Sequence, residues 1–318
     1  MSIKVENRNE LMMFYNVENL FPPDEKFQKG ESRKFSGLKK WNAWRYNHKL
    51  HRLSHVFELI EKEKKTLPMI IGLAEIADSS VLEDLVNMEP FGGRYSYIHH
   101  DSLDERGVDT ALLYDRTKIK FIESETMSFI FEFEEDGRDG IDTTRDVLQC
   151  KLEYENEIIH AFVLHLPSKR EQDINQPKRD YILKNVKERV LELIKGSGET
   201  VVILGDFNEN PYAENINYLL YKDGSEKILE NPFMHLYTER KYSTYYQRQG
   251  LLFDQIILSR DFFLHNSVLN FQKAEVFTHE DIKTREGKYQ GKPFRTYAGT
   301  RYLGGYSDHF PVLVEFSK

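Results

Sequence analysis

The chain has 318 residues, of which 40% are hydrophobic, and a formal net charge of −8. This length allows a large buried core, and no Pro/Gly/Ser-rich linker or repeat divides the sequence, so we expect one domain over residues 1–318. The negative charge argues against a protein that coats nucleic acid through a basic surface. No apolar stretch approaches the roughly 18 to 20 residues of a membrane helix, so no transmembrane segment is expected.

Cysteine content and the first residues bear on the cellular compartment. Cys150 is the only cysteine, which excludes an internal disulfide and a zinc site built from thiolates. The first residues carry no apolar signal-peptide core. These features predict a cytoplasmic protein, although a leader removed from the sequence would leave the same pattern. We expect a monomer.

In chain order, short apolar or β-branched runs predict buried strands, and helical spacing of apolar residues predicts helices between them. The strand-like runs are residues 11–15, 69–73, 110–114, 158–164, 201–204, 253–258 and 312–316. The helical sets are Leu50, Leu53, Phe57 and Ile60, and Ile182, Val186, Val190 and Leu193. Charged residues occupy their opposite faces, as expected of amphipathic helices that cover a sheet.

Residues 26–52, between the first run and the first helix, are basic and aromatic. Nine Lys/Arg stand against the single acid Glu31, interleaved with Phe27, Phe35, Trp41, Trp44 and Tyr46. Phosphate attraction combined with base stacking would use this mixture. We favour a solvated loop that leads into an amphipathic helix with its aromatic side chains buried.

A polar residue follows each of four predicted strands. These residues are Asn16, Glu75, His165 and Asp206. A polar group at the end of an apolar strand is held rigidly beside a crevice, which is where open α/β sheets bind ligands. The four strand ends therefore predict one shared site.

Two short motifs near the end of the chain carry further candidate groups. In Gly205-Asp206-Phe207-Asn208, a carboxylate and an amide follow a glycine, although Asp and Asn also form ordinary Asx turns. In Ser307-Asp308-His309, adjacent side chains on an extended chain point opposite ways and could serve a metal and a reacting group; a surface turn is the alternative. Asp254 lies in an apolar run, where an ionised carboxylate needs a partner such as an imidazole.

Two strand ends have a composition suited to ions. Glu75 follows a strongly apolar run and would be costly to bury unless it meets a cation. His165 is followed closely by Ser168, Lys169 and Arg170, a hydroxyl and two cations that suit a phosphate. A lone histidine is more often an ordinary core or surface residue, but its alignment with the other strand ends favours a functional role.

The ordered motifs resemble those of the endonuclease/exonuclease/phosphatase family over nearly the whole length. They are the segments 14–21 (FYNVENLF), the Glu75 strand, 106–114 (RGVDTALLY), 165–168 (HLPS), 205–208 (GDFN), 254–257 (DQII) and 307–309 (SDH). The chain looks closest to the bacterial subgroup with the FYNVENLF signature. The resemblance implies an α/β fold of the DNase I-like type, a four-layer α/β/β/α sandwich.

The resemblance also implies a role for each matching residue. Glu75 would be the principal metal ligand, with Asn16 and Asp308 nearby. Asp206 would orient or deprotonate water, and Asn208 would hold a phosphate oxygen. His309, paired with Asp254, would contact the phosphate or act as a base. His165 would stabilise charge on the phosphate or protonate the leaving oxygen.

The sequence leaves alternatives open at several positions around this set. Arg106 and Arg145 are candidate phosphate clamps with Ser168 and Lys169, although the arginines could equally form surface salt bridges. Either Asp101 or Asp109 could orient His165. Leu166 stands where the subgroup often has Trp, which we expect to alter the pocket wall.

The predicted activity is hydrolysis of a phosphate ester by water with a divalent metal. Oxygen ligands suit Mg²⁺, with Mn²⁺ as an alternative. We expect a nuclease or other phosphodiesterase, with a nucleic acid as one candidate partner. The alternatives are a phosphatase of small-molecule, inositol or lipid phosphates and a catalytically inactive binding module.

Overall fold

The computed structural model describes residues 9–24, 38–135, 138–169, 173–197 and 199–318. Within these ranges the helices are α1 (Ala43–Lys64), α2 (Ser79–Val86), α3 (Gln176–Ser197), α4 (Glu214–Leu220) and α5 (Phe233–Thr238). The strands are β1 (Glu10–Leu20), β2 (Ile70–Ile76), β3 (Tyr95–His99), β4 (Asp109–Asp115), β5 (Lys120–Met127), β6 (Ile130–Glu135), β7 (Arg138–Thr143), β8 (Val147–Tyr154), β9 (Glu157–His165), β10 (Thr200–Asp206), β11 (Leu229–Glu230), β12 (Thr244–Tyr246), β13 (Gln249–Leu251), β14 (Asp254–Ser259), β15 (Asn270–Val276), β16 (Tyr297–Ala298), β17 (Arg301–Tyr302) and β18 (Val312–Ser317).

Two six-stranded sheets form the centre of the molecule. The first sheet has the order β15-β18-β1-β2-β4-β3, and the second has the order β11-β14-β10-β9-β8-β5. Each contains one central parallel pair, β1 with β2 and β9 with β10, flanked by antiparallel strands. The two strands of a parallel pair end at the same edge, and their antiparallel neighbours begin there. Strand ends and strand starts therefore gather at one edge of each sheet.

Alternation along the strands separates the apolar residues into three layers. Met12 and Phe14 of β1 face Val202 and Leu204 of the second sheet, in the core between the two sheets. Met13 and Tyr15 point the other way, into the core beneath α1 and α2. A third core joins the outer face of the second sheet to α3 and α4. This arrangement confirms the four-layer α/β/β/α sandwich.

The basic and aromatic segment is only partly described, because residues 25–37 lie outside the described residues. Helix α1 begins at Ala43, and Trp41 and Tyr46 are buried as expected. The prediction is wrong for Trp44, which is 65% exposed and stacks on His48 with ring centroids 5.3 Å apart. Trp44 stands two residues before the buried Tyr46, so it lies on the opposite, solvent-facing side of the helix.

None of the described helices combines the length and the apolarity needed to span a bilayer.

Candidate active site

The ends of the two parallel strand pairs bring four predicted residues together. Asp206, the last residue of β10, has His165 as its cross-strand partner on β9 and Asp254 as its partner on β14. Across the gap between the sheets, Nδ2 of Asn16 donates to Oδ2 of Asp206 at 3.1 Å. The Nε2 atom of His165 lies 3.6 Å from the same oxygen. Asp206 is therefore the meeting point of both sheets.

His309 and Asp254 form the hydrogen-bonded pair expected from the sequence. Nδ1 of His309 lies 2.7 Å from Oδ2 of Asp254, whose side chain is fully buried. The hydroxyl of Ser243 donates to the same carboxylate. The other ring nitrogen of His309, Nε2, lies 3.9 Å from Oδ2 of Asp206. Asp254 thus orients the ring so that Nε2 faces the centre of the site.

The surroundings shift the pKa values of three central groups, which are His309, Asp206 and His165. Burial opposes a charge on His309, but the Asp254 carboxylate outweighs it and raises the pKa of this imidazole well above its usual range. Burial, and then the charge of Asp254, raises the pKa of Asp206 to about 7. Burial, followed by the cations Arg145 and Arg106, lowers the pKa of His165 well below its usual value. His309 is therefore cationic and His165 neutral near neutral pH.

A bulge in β2 presents Glu75 to the site. Ala74 and Ile76 pair with consecutive residues of β4, so Glu75 is the extra residue, and its backbone is left-handed with a φ of 67°. This conformation is less favourable for a residue with a side chain than for glycine, and here it accompanies the bulge. Oε2 of Glu75 accepts the N–H of Asn19 at 2.9 Å, and Oε1 lies 3.7 Å from NH2 of Arg106.

Asp308 has a cationic neighbour that the sequence did not reveal. NH2 of Arg295 lies 2.7 Å from Oδ2 of Asp308. Burial opposes ionisation, but His309 and then Arg295 lower the pKa of Asp308 below its usual value. The Asp308 carboxylate is therefore ionised near neutral pH and able to attract a cation.

Two buried charged residues that act on these carboxylates, Lys49 and Glu18, were also missed from the sequence. Lys49 of α1 is 1% exposed and donates to Oγ1 of Thr296 at 2.7 Å. Its charge acts on Glu18, Asp308 and Glu75, which places the last two on one side of the molecule. Burial, and then Asp308, raises the pKa of Glu18 to about 7. The available signals were an acid within the first apolar run and a lysine on the apolar stripe of α1.

The two predicted arginine clamps lie beside the centre. Arg106 and Arg145 line a cavity of about 230 Å³ together with Ser168. NH1 of Arg145 donates to the carbonyl of His165 at 3.3 Å, and its buried Nε atom lies 3.6 Å from Oδ2 of Asp104. Lys169 is instead paired with acids, 2.5 Å from Glu209. Its role toward a substrate stays a prediction, as does that of the two arginines, which also lie near acids.

The turn after β10 shows the Asx geometry that was one of the two alternatives for its motif. The N–H of Asn208 donates to Oδ1 of Asp206 at 3.0 Å, which is an Asx turn. Nδ2 of Asn208 donates to the carbonyl of Leu166 at 2.9 Å. Leu166 itself is 1% exposed and packs in the core under α3, so its expected effect on the pocket wall is not seen. The role of Asn208 toward phosphate stays a prediction.

Neither aspartate proposed to orient His165 does so. Asp101 and Asp109 lie 3.8 and 3.7 Å from the two ring nitrogens of His99, a different histidine at the end of β3. Nδ1 of His165 has no hydrogen-bond partner among the residues described. Both acids follow β3 closely in the chain, and only the β3–β4 pairing reveals which histidine they approach.

Three solved structures share this architecture. D. rerio TDP2 complexed with single strand DNA product has a TM-score of 0.60 and 14% identity, covering 98% of this chain and 99% of that one. The Bacteroides thetaiotaomicron mannosyl-6-phosphatase has a TM-score of 0.56 and 17% identity, covering 96% and 99%. The human Nocturnin catalytic domain with bound sulfate has a TM-score of 0.58 and 14% identity, covering 98% and 93%. No curated protein matches the sequence significantly.

The two packed sheets, with their polar centre at the strand ends, define an α/β sandwich of the DNase I-like class. The model of the Endonuclease/Exonuclease/phosphatase family matches residues 11–318. The chain belongs to this family. Its assignment to the bacterial FYNVENLF subgroup stays a prediction.

Proposed function

We propose that this protein is a divalent-metal-dependent phosphoesterase, in which an activated water attacks a phosphate ester in line with the leaving oxygen. The observation that carries the proposal is the convergence of His165 and the Asp254–His309 pair on the carboxylate of Asp206. A charged imidazole, a neutral imidazole and a carboxylate of raised pKa in one buried site can divide the work of proton transfer and charge stabilisation.

Asp206 is the proposed base toward the attacking water. Because the pKa of Asp206 is about 7, a substantial fraction of the side chain is ionised near neutral pH. The carboxylate is also basic enough to accept a proton from water. The water oxygen forms the new bond to phosphorus, its proton passes to Asp206, and the bond to the leaving oxygen breaks. His309, held as a cation by Asp254, stabilises the charge on the phosphate oxygens.

His165 is the proposed hydrogen-bond donor on the leaving-group side. Because burial and two arginines keep this ring neutral, it donates an N–H without carrying a charge. Arg106 and Arg145 supply the positive charge there, as clamps on phosphate oxygens. Ser168 lines the same cavity and is proposed as a further donor.

The oxygen groups of Glu75, Asn16 and Asp308 are the proposed metal ligands. Hard oxygen ligands fit Mg²⁺, with Mn²⁺ as an alternative. Burial, and then a neighbouring acid, raises the pKa of Glu18 and of Asp206 to about 7 each. A divalent cation near these acids would reduce their mutual repulsion and, when bound, would neutralise charge on the phosphate.

A phosphodiester, with single-stranded nucleic acid as the first candidate, is the proposed substrate. One structural neighbour was solved with a single strand DNA product, and another is a mannosyl-6-phosphatase. The second neighbour and the net charge of −8, which disfavours long duplex DNA, support a small-molecule phosphatase as the second candidate.

A substrate panel tests the proposal. Single- and double-stranded DNA, RNA, inositol phosphates and sugar phosphates are incubated with Mg²⁺, with Mn²⁺ and with EDTA, and products are quantified. We expect metal-dependent cleavage of a nucleic acid, with binding that weakens as salt rises. Cleavage of sugar or inositol phosphates alone would favour the second candidate. If the protein hydrolyses no compound in the panel, the result would support a catalytically inactive binding module and contradict the proposed phosphoesterase activity.

A further inference from the structure

A second group of metal-type ligands lies outside the site described above. His99 ends β3, Asp109 begins β4, and Asp101 lies in the loop between them. Nδ1 of His99 is 3.8 Å from Oδ1 of Asp101, and Nε2 is 3.7 Å from Oδ2 of Asp109. One ligand atom from each residue lies within 4.8 Å of the others. The two carboxylates approach different ring nitrogens, and one ion can bind only one of these nitrogens. The ion would therefore bind Nε2 together with Asp109, and the exposed Asp101 side chain would turn toward it from the Nδ1 side.

The ring of His99 provides an independent indication of a ligand. Its side chain is only 4% exposed, and within the described ranges its buried Nε2 atom has no hydrogen-bond partner although it faces Asp109. Buried polar atoms in native proteins are nearly always satisfied, so an orphaned nitrogen calls for an explanation. Burial lowers the pKa of His99, against the opposing charge of Asp101, which keeps the ring in the neutral form that binds metals.

The two carboxylates complete a plausible ligand set. Asp109 is 5% exposed and accepts the N–H of Ser102 at 3.2 Å and the Ser102 hydroxyl. The Asp101 side chain is 86% exposed and can turn toward an ion without disturbing the core.

We propose that His99, Asp101 and Asp109 bind a divalent transition-metal ion, Zn²⁺ in the first instance, at a site separate from the catalytic centre. An imidazole nitrogen combined with carboxylate oxygens suits Zn²⁺ better than Mg²⁺ or Ca²⁺, which prefer oxygen ligands alone. Water would complete the coordination.

The bound ion would restrain the loop that carries Arg106. Asp104 donates its N–H to Oγ of Ser102 at 3.2 Å, and Oδ1 of Asp104 accepts the N–H of Arg106 at 2.9 Å. Arg106 in turn reaches Glu75. A metal that holds Asp109 and Asp101 together would close the base of the β3–β4 hairpin and restrict residues 100–108.

Calorimetric titration with ZnCl₂ tests the site, and its outcome does not depend on hydrolytic activity. The parent protein carries Glu75→Gln, which removes the principal catalytic metal ligand. We expect His99→Gln in this background to lose one equivalent of bound Zn²⁺ or to bind it at least about tenfold more weakly, since loss of even an outer partner typically costs 10- to 100-fold. His100→Gln is the matched control, because this exposed neighbour contacts Ser124 instead.

A second variant distinguishes the loss of a metal ligand from misfolding of the protein. Asp101 is exposed, so Asp101→Asn should fold normally and still weaken Zn²⁺ binding by a similar factor. Hydrogen exchange in residues 100–108 should slow with Zn²⁺ in the parent and stay fast in both variants. Unchanged Zn²⁺ binding in Asp101→Asn and His99→Gln would overturn the proposal. An equal loss in His100→Gln would do the same, because it would place the ion on the surface histidine.

Discussion

Asp254 sets both the charge and the orientation of His309. It is fully buried and accepts the imidazole N–H at 2.7 Å, so Asp254→Asn removes the main source of the raised pKa of the ring. If His309 stabilises or transfers charge in the reaction, we expect kcat to fall about 10²- to 10⁴-fold with little change in KM. Steady-state kinetics across the pH range would measure both constants.

Ser243→Ala provides the matched control for that change. Its hydroxyl bonds to the same carboxylate, but its removal leaves the charge of Asp254 in place. We expect a much smaller loss of kcat. An Asp254→Asn enzyme with full turnover and the same pH–rate profile as the wild type would exclude the pair as a catalytic device.

At the residue scale, groups at strand ends were predictable from the sequence and their remote partners were not. Asp206 and His309 stand out locally, because each is polar beside an apolar run. Lys49 also stood on an apolar stripe, but its neighbours Thr296 and Tyr306 lie more than 240 positions away in the chain. Local patterns do not record contacts over such separations, which here join helix α1 to the loops before β16 and β18.

At the element scale, the central strands were predictable and the irregularities were not. Strands such as β2 and β10 are apolar on both faces, which gives a continuous hydrophobic run. The edge strand β5 is largely exposed and has no such run. The bulge that turns Glu75 into the site depends on the register with β4, which no local pattern records.

Gly205 allows β10 to approach β9 closely just before Asp206. A Cβ atom there would lie 2.4 Å from Cδ1 of Leu164 and 2.7 Å from its carbonyl oxygen. We expect Gly205→Ala to lower the free energy of unfolding by about 1–3 kcal/mol through overpacking. It should also reduce kcat, because Asp206 must shift with the strand. Urea unfolding and kinetics would measure the two effects.

Gly72→Ala is the comparison for this prediction. Its added Cβ would meet side-chain atoms of Phe14, Leu204 and Val163 at 3.1–3.2 Å, which requires shifts of only a few tenths of an ångström. We expect a smaller loss of stability than for Gly205→Ala. Equal stability of Gly205→Ala and the wild type would show that the close approach of β10 and β9 is not required.

At the scale of the whole molecule, the similar arrangement of strands in the two sheets explains where the candidate active site lies. Each sheet contributes one parallel pair, and both pairs end at the level of Asp206 and Asn16, which are joined by a hydrogen bond between the sheets. Hydrophobic patterning predicted β1, β2, β4 and β18 of the first sheet and β9, β10 and β14 of the second, but not the other strands of these sheets. Their face-to-face packing was implied by family resemblance, because strand patterns alone do not specify which sheet a strand joins.

The stability of the whole fold should depend on pH through Asp115. Burial opposes its charge, but Arg94 and Thr117 outweigh this and lower the pKa of Asp115 below its usual value. A lowered folded-state pKa stabilises the protein above the unfolded-state pKa, and this contribution is lost as the pH falls through the folded value. We expect Asp115→Asn to reduce the free energy of unfolding near neutral pH by about 1–3 kcal/mol.

Urea unfolding of wild type and Asp115→Asn at several pH values would measure this dependence. The difference between the two proteins should be constant at neutral pH and shrink below about pH 4, where the unfolded carboxyl group is protonated. A difference that is the same at every pH would mean that the charge of Asp115 does not contribute.

The most direct test of the proposed active site is Mg²⁺-dependent release of nitrophenol from bis-p-nitrophenyl phosphate. We expect release that EDTA abolishes and that Glu75→Ala and His309→Ala each reduce by about 10²-fold or more. The exposed controls Glu83→Ala and His235→Ala should retain wild-type rates. Two results would contradict a metal-dependent phosphoesterase centred on these residues. One is a wild-type protein that releases no nitrophenol with Mg²⁺, and the other is full activity in the Glu75→Ala and His309→Ala variants.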